Sequence, residues 1–359
     1  MFFNAAAAVV AFTALSASPA HAFWRLSCDR TSLVRERADP IVSPGTPWTG
    51  HIHVIHGGSN FNLNVTFDSL RASSCTSCQI ANDKSNYWTP TLWFQDPKTK
   101  QFEPVDGGGI LVYYLQRGDH HDQIKSFPAG FRMISGDMTL RAKKYQEGEG
   151  SQGELRERAL KWSCLRYTGG QTGYDGYGFP TTQCEAGFQA RIHMPNCWDG
   201  KNLDSADHRS HVAYMSLLDN GKCPDTHPIN FITMFFEQTW DTSKFVGRWD
   251  DSRDPWPFVW SHGDNTGYGY HGDFVMGWDV NTLQSAILDC NNQTPGTAAG
   301  QAEACPHFQM QSADAGKACT IKPHINETTD GTLSRLPGCN PIQKGPDNAT
   351  PYNDNNCPL

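Results

Sequence analysis

The sequence predicts a mainly β protein, a β-sandwich or jelly-roll-like arrangement with few short helices and long disulfide-stapled loops. Three observations predict it. Short β-prone runs alternate with clusters of Gly, Pro, Asn and Asp over the first two thirds of the chain. Only two segments carry a helical spacing of apolar residues. Twelve cysteines, an even number, run from Cys28 to Cys357, enough for up to six disulfides in an oxidising compartment.

The elements follow in chain order. Residues 1–22 read as a secretory signal peptide, because an apolar run from Ala5 to Leu15 leads into small residues and Ala20-His21-Ala22, an A-x-A cleavage site. The run is too short to cross a bilayer core of about 30 Å. Cleavage after Ala22 starts the mature chain at Phe23, whereas cleavage after Ala20 starts it at His21. No later run of about 20 apolar residues occurs and the C-terminus is polar, so neither a membrane span nor a lipid anchor is expected. The expected location is extracellular, at or near a cell wall.

In His51-Ile52-His53-Val54-Ile55-His56 a strand places His51 and His53 on one face. Leu63, Val65 and Phe67 then alternate with Asn62, Asn64 and Thr66, which predicts a second strand with the Asn64 glycosylation sequon on its wet side. Further strands are predicted over 87–94, 110–115, 188–194 and 230–236, the last as a continuous apolar run buried on both faces. Helices are predicted over 153–164, with Leu155, Ala159 and Trp162 on one stripe, and over 279–290 behind Asp279 as N-cap. Residues 23–290 form the main β-rich domain. Residues 291–359, rich in Thr, Pro, Gly, Asn and Gln, form a loop-rich appendage stapled to it by four cysteines. Cys75/Cys78, Cys184/Cys197 and Cys290/Cys305 are close enough in sequence to pair locally. Further sequons at Asn292, Asn326 and Asn348 agree with export.

Charge narrows the partners. A net charge of −8 without any Lys/Arg cluster argues against nucleic acid. Aromatic residues, at 11%, are abundant, and the rings that fill a β core are also those that stack on sugars.

Histidine is unevenly placed: nine of 14 fall in the segments His51/His53/His56, His120/His121, His208/His211 and His262/His271. An H-x-H on one strand face presents two imidazoles to one ion, copper or zinc by ligand type, although such histidines also serve to hydrogen-bond loops. Asp204, Asp207, His208, Arg209 and His211 lie within eight residues. They supply a carboxylate to orient an imidazole, an imidazole for proton transfer and a guanidinium for an anion, or an Asp-rich loop that holds its own backbone. In the third segment Tyr268 and Tyr270 offer stacking faces, and His271 and Asp273 point the same way if extended. Asp83 and Glu237 are weaker acid candidates, each also readable as a surface ion pair. Cys75-Thr76-Ser77-Cys78 reads as structural rather than redox-active. No G-x-S-x-G, H-E-x-x-H or P-loop pattern occurs.

Together, Phe23-Trp24-Arg25-Leu26, Asp39-Pro40-Ile41-Val42, His51-Ile52-His53-x-Ile55-His56-Gly57-Gly58-Ser59-Asn60-Phe61, Tyr87-Trp88-Thr89-Pro90, Leu203-Asp204-Ser205-x-Asp207-His208-x-Ser210-His211-Val212-Ala213-Tyr214 and Gly267-Tyr268-Gly269-Tyr270-His271-Gly272-Asp273-Phe274 resemble the DUF1996 family over about residues 23–308. That resemblance implies an extracellular, fungal, wall-associated setting, and it carries no catalytic residues. The family sometimes places a carbohydrate-binding WSC module beside this domain; residues 291–359 are not expected to form one.

The leading functional expectation is a secreted carbohydrate-active hydrolase. Asp204, Asp207 or Asp273 with His208, His211 or His271 would transfer protons, while Tyr268, Tyr270 and Trp88 line a glycan cleft. A lyase would use Arg132 or Arg209 to hold a uronate carboxylate. Two readings of other classes stay open: a non-catalytic wall- or glycan-binding protein, and a metalloprotein holding copper or zinc through His51, His53 and a later histidine. A chain starting at His21 could also bind copper through its amino terminus. All of these site readings require the three histidine-bearing stretches to converge on one concavity.

Overall fold

The computed structural model describes residues 23–29, 31–48, 50–120, 123–167, 174–290 and 300–358. Residues 1–22, read above as a signal peptide, with His21, and also His121 and the Asn292 sequon, lie outside the described residues.

Eleven strands build the frame: β1 (Phe23–Cys28), β2 (Val34–Glu36), β3 (His53–Gly57), β4 (Asn86–Pro90), β5 (Gly107–Leu115), β6 (Arg132–Gly136), β7 (Leu160–Leu165), β8 (Tyr174–Gly176), β9 (Gly187–His193), β10 (Thr233–Trp240) and β11 (His271–Val275). They form two antiparallel sheets, a six-stranded one in the order β1-β5-β10-β9-β7-β8 and a five-stranded one in the order β2-β3-β4-β11-β6. Two small three-stranded sheets flank them.

The two larger sheets pack face to face, as a sandwich requires. Met234, Phe236, Gln238 and Trp240 alternate along β10 and point inward. Phe236 meets Tyr87 of β4 edge-on at 5.7 Å between centroids, and the Thr89 hydroxyl donates to Gln238 Oε1 at 2.6 Å. Gly272 on β11 leaves room for Phe236 and Ile192, which a Cβ there would meet at 3.1–3.2 Å. Trp162, Phe188, Trp240, Trp260 and Tyr270 extend this core. Each buried ring of this size contributes on the order of 2–3 kcal/mol, which makes the aromatic residues chiefly a stabilising element.

Alternation along the five-stranded sheet sends the next set of side chains the other way. Val34, Ile55, Trp88, Ile134 and Val275 form a second core, closed from outside by Ala38, Ile41, Phe61, Val65, Leu70 and Ile325. The appendage completes this cover: Ile321 N donates to Leu33 O, and the Glu36 carboxylate accepts from the backbone N and ring Nδ1 of His324. The outer face of this sheet is therefore buried too.

Several local expectations change. The predicted strand over 62–67 is a turn leading into α1 (Phe67–Arg71): Asn62 Oδ1 takes the Asn64 N–H, and Thr66 and Ser69 form a reciprocal capping box. Side-chain bonds to the backbone outcompete the ladder there. Val65 is nevertheless buried and Asn64 exposed. The helix predicted over 153–164 stops as α2 (Gln152–Arg158), capped by Ser151, and Leu160, Trp162 and Cys164 continue as β7, where pairing with β9 overrides helical spacing. α3 (Val280–Asp289) matches its expectation, with the Asp279 side chain accepting from Thr282 N. The run over 87–94 splits at Thr91 into β4 and Leu92–Gln95, in different sheets, after Pro90, which has no N–H to donate. β10 is buried on one face only, since Phe235 lies on the outer side against Tyr113.

All twelve cysteines are paired. Cys290–Cys305 joins as expected, whereas Cys78 joins Cys28, Cys75 joins Cys319, Cys184 joins Cys164 and Cys197 joins Cys223; Cys339–Cys357 closes the set. Among the described residues no helix is long and apolar enough to cross a membrane.

Candidate metal centre

The outer face of the five-stranded sheet carries a polar island at one end of its apolar cover. His53 opens β3 opposite Pro90 of β4, and His271 opens β11 with Asp273 two residues on, opposite Trp88. His51 precedes β3, its ring 4.3 Å from that of His53. His262 follows the short strand Phe258–Trp260, its ring 5.0 Å from His51 and 5.4 Å from His271. Gly136 pairs with His271 at φ 86°, and a Cβ on it would lie 2.3 Å from Tyr270 O. Only glycine fits that approach of β6 to the His271 end of β11.

The ring atoms converge. His51 Nε2 lies 3.1 Å and His53 Nε2 3.3 Å from His271 Nε2, and all three fall within 4.8 Å of one another. His53 Nδ1 lies 3.1 Å from Ala38 O, and His271 Nδ1 3.4 Å from Gly269 O. A carbonyl only accepts, so these Nδ1 atoms carry the protons and the Nε2 atoms of His53 and His271 present lone pairs to each other. A proton on His51 Nε2 can satisfy one of those lone pairs but not both. Donation of the far ring N–H to a backbone carbonyl is also the arrangement that orients histidine toward a metal. With metal–nitrogen distances of 2.0–2.1 Å, tetrahedral ligation sets nitrogens about 3.3 Å apart.

Burial sharpens the electrostatics. His51, His53, His262 and His271 are no more than 4% exposed, and Asp273 is fully buried. Burial first, and then the neighbouring imidazoles, hold His51, His262 and His271 well below the usual histidine range. Burial also lowers His53, against Asp39 and its carbonyl bond. Burial drives Asp273 well above the usual carboxylate range, with Asp39 adding and Arg209 opposing. Both Asp273 oxygens, both His262 nitrogens and His51 Nδ1 have no hydrogen-bond partner among the described residues. Buried polar groups are rarely left so, and a cation among them would compensate the set. A cavity of about 30 Å³, lined by His262, Arg141, Asn340 and Gln343, adjoins the cluster and is large enough for a water molecule.

The 203–211 segment does not join this centre. It lies along β6, the edge of the sheet, where Arg132 N and Ile134 N donate to Leu203 O and His208 O. His211 is spent on structure: its Nε2–H donates to Arg132 O at 2.8 Å, its Nδ1 accepts from Ser205 Oγ, and its ring packs on Phe131. His208 Nδ1 is bonded to Asp204 at 2.8 Å, and Arg132 Nε lies 3.9 Å from the same carboxylate. Arg209 donates to Gly136 O and reaches the centre only through its field on His271 and Asp273. The single concavity expected of three histidine stretches is thus built by two, corrected because the loop bonds cover an exposed strand edge. Trp88 and Tyr270, expected to line a glycan cleft, are core side chains with no face free for a ligand, and Tyr268 is half-buried against Gly178. Asp83 is buried and bonded to the Tyr87 hydroxyl, and Glu237 accepts from Tyr113 on the outer face.

Asp207 anchors the loop. Its Oδ1 accepts from Ser205 Oγ, Arg209 N, Ser210 N and Ser210 Oγ. Burial alone would raise its pKa; these bonds outweigh it and hold the carboxyl below the usual range. A depressed pKa contributes stability that is present above the unfolded value, about pH 4, and is lost as pH falls toward the folded one. Asp207→Ala is expected to cost about 1 kcal/mol after solvent screening, measured by denaturant unfolding at pH 7, with the difference from wild type narrowing below pH 4.

The sequence groups His51 and His53 with one later histidine and pairs His271 with Asp273, but it leaves open which later histidine joins them and gives His262 no role. The shared signal is position: each pair begins a strand of the same sheet. Fold and site define a disulfide-stapled antiparallel β-sandwich with a buried histidine centre. Residues 39–278, about two thirds of the chain, match the family model described as Domain of unknown function (DUF1996), and the protein belongs to that family. All four histidines and Asp273 fall within the matched residues. No curated protein and no solved structure matches the chain.

Proposed function

We propose that this is a secreted metalloprotein that holds one zinc or copper ion on His51, His53 and His271. The observation that carries the reading is the convergence of the three Nε2 atoms with two ring N–H groups turned away onto carbonyls. Imidazole ligands suit zinc and copper, and six disulfides fit an oxidising, extracellular setting. Asp273 and His262 stand beside the three ligands as further ligands or proton carriers.

Hydrolysis of a wall polysaccharide is the second reading, favoured by the buried Asp273, whose two oxygens have no hydrogen-bond partner among the described residues, and by the water-sized cavity that His262 lines. A bound ion there would supply an acidified water. It ranks second because a cavity of about 30 Å³ takes a water and not a sugar ring.

Thermal unfolding tests the metal reading. Zinc or copper at a thousandfold excess over Kd contributes about 4 kcal/mol, which raises Tm by about 5 °C for a chain of this size. The shift should vanish with chelator. Identical melting of chelated and metal-supplied protein would remove the proposal.

A further inference from the structure

A second set of unpartnered polar groups lies between the two sheets, contributed by the inner faces of both. His56, three residues after His53, points inward between the sheets, where both ring nitrogens are buried without a hydrogen-bond partner. Gln238 is 1% exposed, and its Oε1 accepts from Thr89 and Tyr270, which fixes the amide and leaves Nε2 unpartnered. Arg35 Nε and Nη2 and Trp240 Nε1 are likewise buried and unpartnered among the described residues. All four side chains line one cavity of about 720 Å³ that opens at the end of the seam between the sheets. Gly107 forms part of its floor, and Tyr167, 78% exposed, stands at its rim.

The donor inventory selects the ligand. Arg35 is a cation that feels Asp330 and Asp106 through space without forming an ion pair with either, and of the carboxylates that line the cavity, Asp106 is paired with Lys244 and Asp241 accepts from Ser243. A planar guanidinium in a recess is matched by a carboxylate. Burial lowers the pKa of His56 to about 3, so its ring is neutral and offers one donor and one acceptor, the complement of a hydroxyl. Gln238 and Trp240 add N–H donors, and an exposed Tyr at the rim offers a face to a sugar ring. A cavity of this volume is in the range of small-molecule sites.

We propose that this cavity is a binding site for a uronate, a sugar carrying a carboxylate, with the carboxylate on Arg35 and the hydroxyls on His56, Gln238 and Trp240. The site is separate from the histidine centre and does not depend on a metal there.

The test uses the full chain, with ligand-observed NMR and calorimetric titration of D-glucuronate, D-glucose and a glucuronate oligomer. Glucuronate should bind at least tenfold more tightly than glucose, and Arg35→Gln should remove that difference. Gly107→Ala provides a variant at a site with room: its Cβ would meet Trp240 and Gln238 Nε2 at 3.6–3.9 Å, ordinary contact, while filling the floor, so it should weaken glucuronate binding in a folded protein. Tighter binding of the oligomer assigns the site to a polymer end, and equal binding to the free acid; both support a uronate site. Absence of glucuronate binding to the wild type, equal binding of glucose, or unchanged binding in Gly107→Ala would each overturn it.

Discussion

His53→Ala is expected to lower zinc affinity by about two orders of magnitude or more. Structural zinc sites bind with apparent free energies of about 10–16 kcal/mol, so each of three or four ligands accounts for about 3 kcal/mol. The Nδ1–H of His53 is fixed on Ala38 O and its Nε2 faces that of His271, so no other atom of the residue substitutes for the lost ligand. His271→Ala should behave in the same way. His211→Ala should retain wild-type affinity, because that ring bonds Arg132 O and Ser205 away from the centre, although it should lose about 1–2 kcal/mol of stability by leaving a buried carbonyl unpaired. Competition titration against a chromophoric chelator reads the affinities, and equal losses in His53→Ala and His211→Ala would contradict the assignment.

The largest loss of stability is expected from Cys75→Ala with Cys319→Ala. This bond spans 244 residues and ties the appendage to the loop beside α1. Cross-links over long loops contribute about 2–5 kcal/mol, mainly by restricting the unfolded chain. A further effect is local: Ile325 and His324, which follow Cys319, cover Ile55, Trp88 and Glu36 on the face that carries His53. The double variant should therefore unfold at lower denaturant. Its zinc affinity should fall less than that of His53→Ala, since it keeps every ligand. A denaturation midpoint equal to the wild type would show that the hydrophobic cover alone holds the appendage.

Much of the fold is legible in the sequence because strand periodicity is local. β5, β9 and α3 lie where alternation or capping puts them. Failures cluster where a longer-range force decides: Trp162 sits at helical spacing from Leu155, yet its stacking on Phe188 and Trp260 holds it in a strand. Of the three local disulfides expected, Cys290–Cys305 forms, whereas Cys75/Cys78 fails for the same reason, since Cys75 and Cys319 are neighbours only after the C-terminal residues fold back. At the site, H-x-H and H-x-D are both readable as strand pairs, and the extended backbone does put His271 and Asp273 on one face. Sequence carries no information that β3 and β11 flank β4, which is what brings the two pairs together. The dense Asp/His loop at 203–211 misleads because hydrogen bonding along a sheet edge and proton-transfer chemistry call for the same residue types.

Metal content and ligation measured on the purified full chain test the central claim most directly. After chelation and reloading, mass spectrometry should find one zinc or copper per molecule, and X-ray absorption at the metal edge should show a shell of imidazole nitrogens at about 2.0–2.1 Å. A chain that reloads with no ion, or whose ion lacks histidine scattering, would contradict a centre built from His51, His53 and His271.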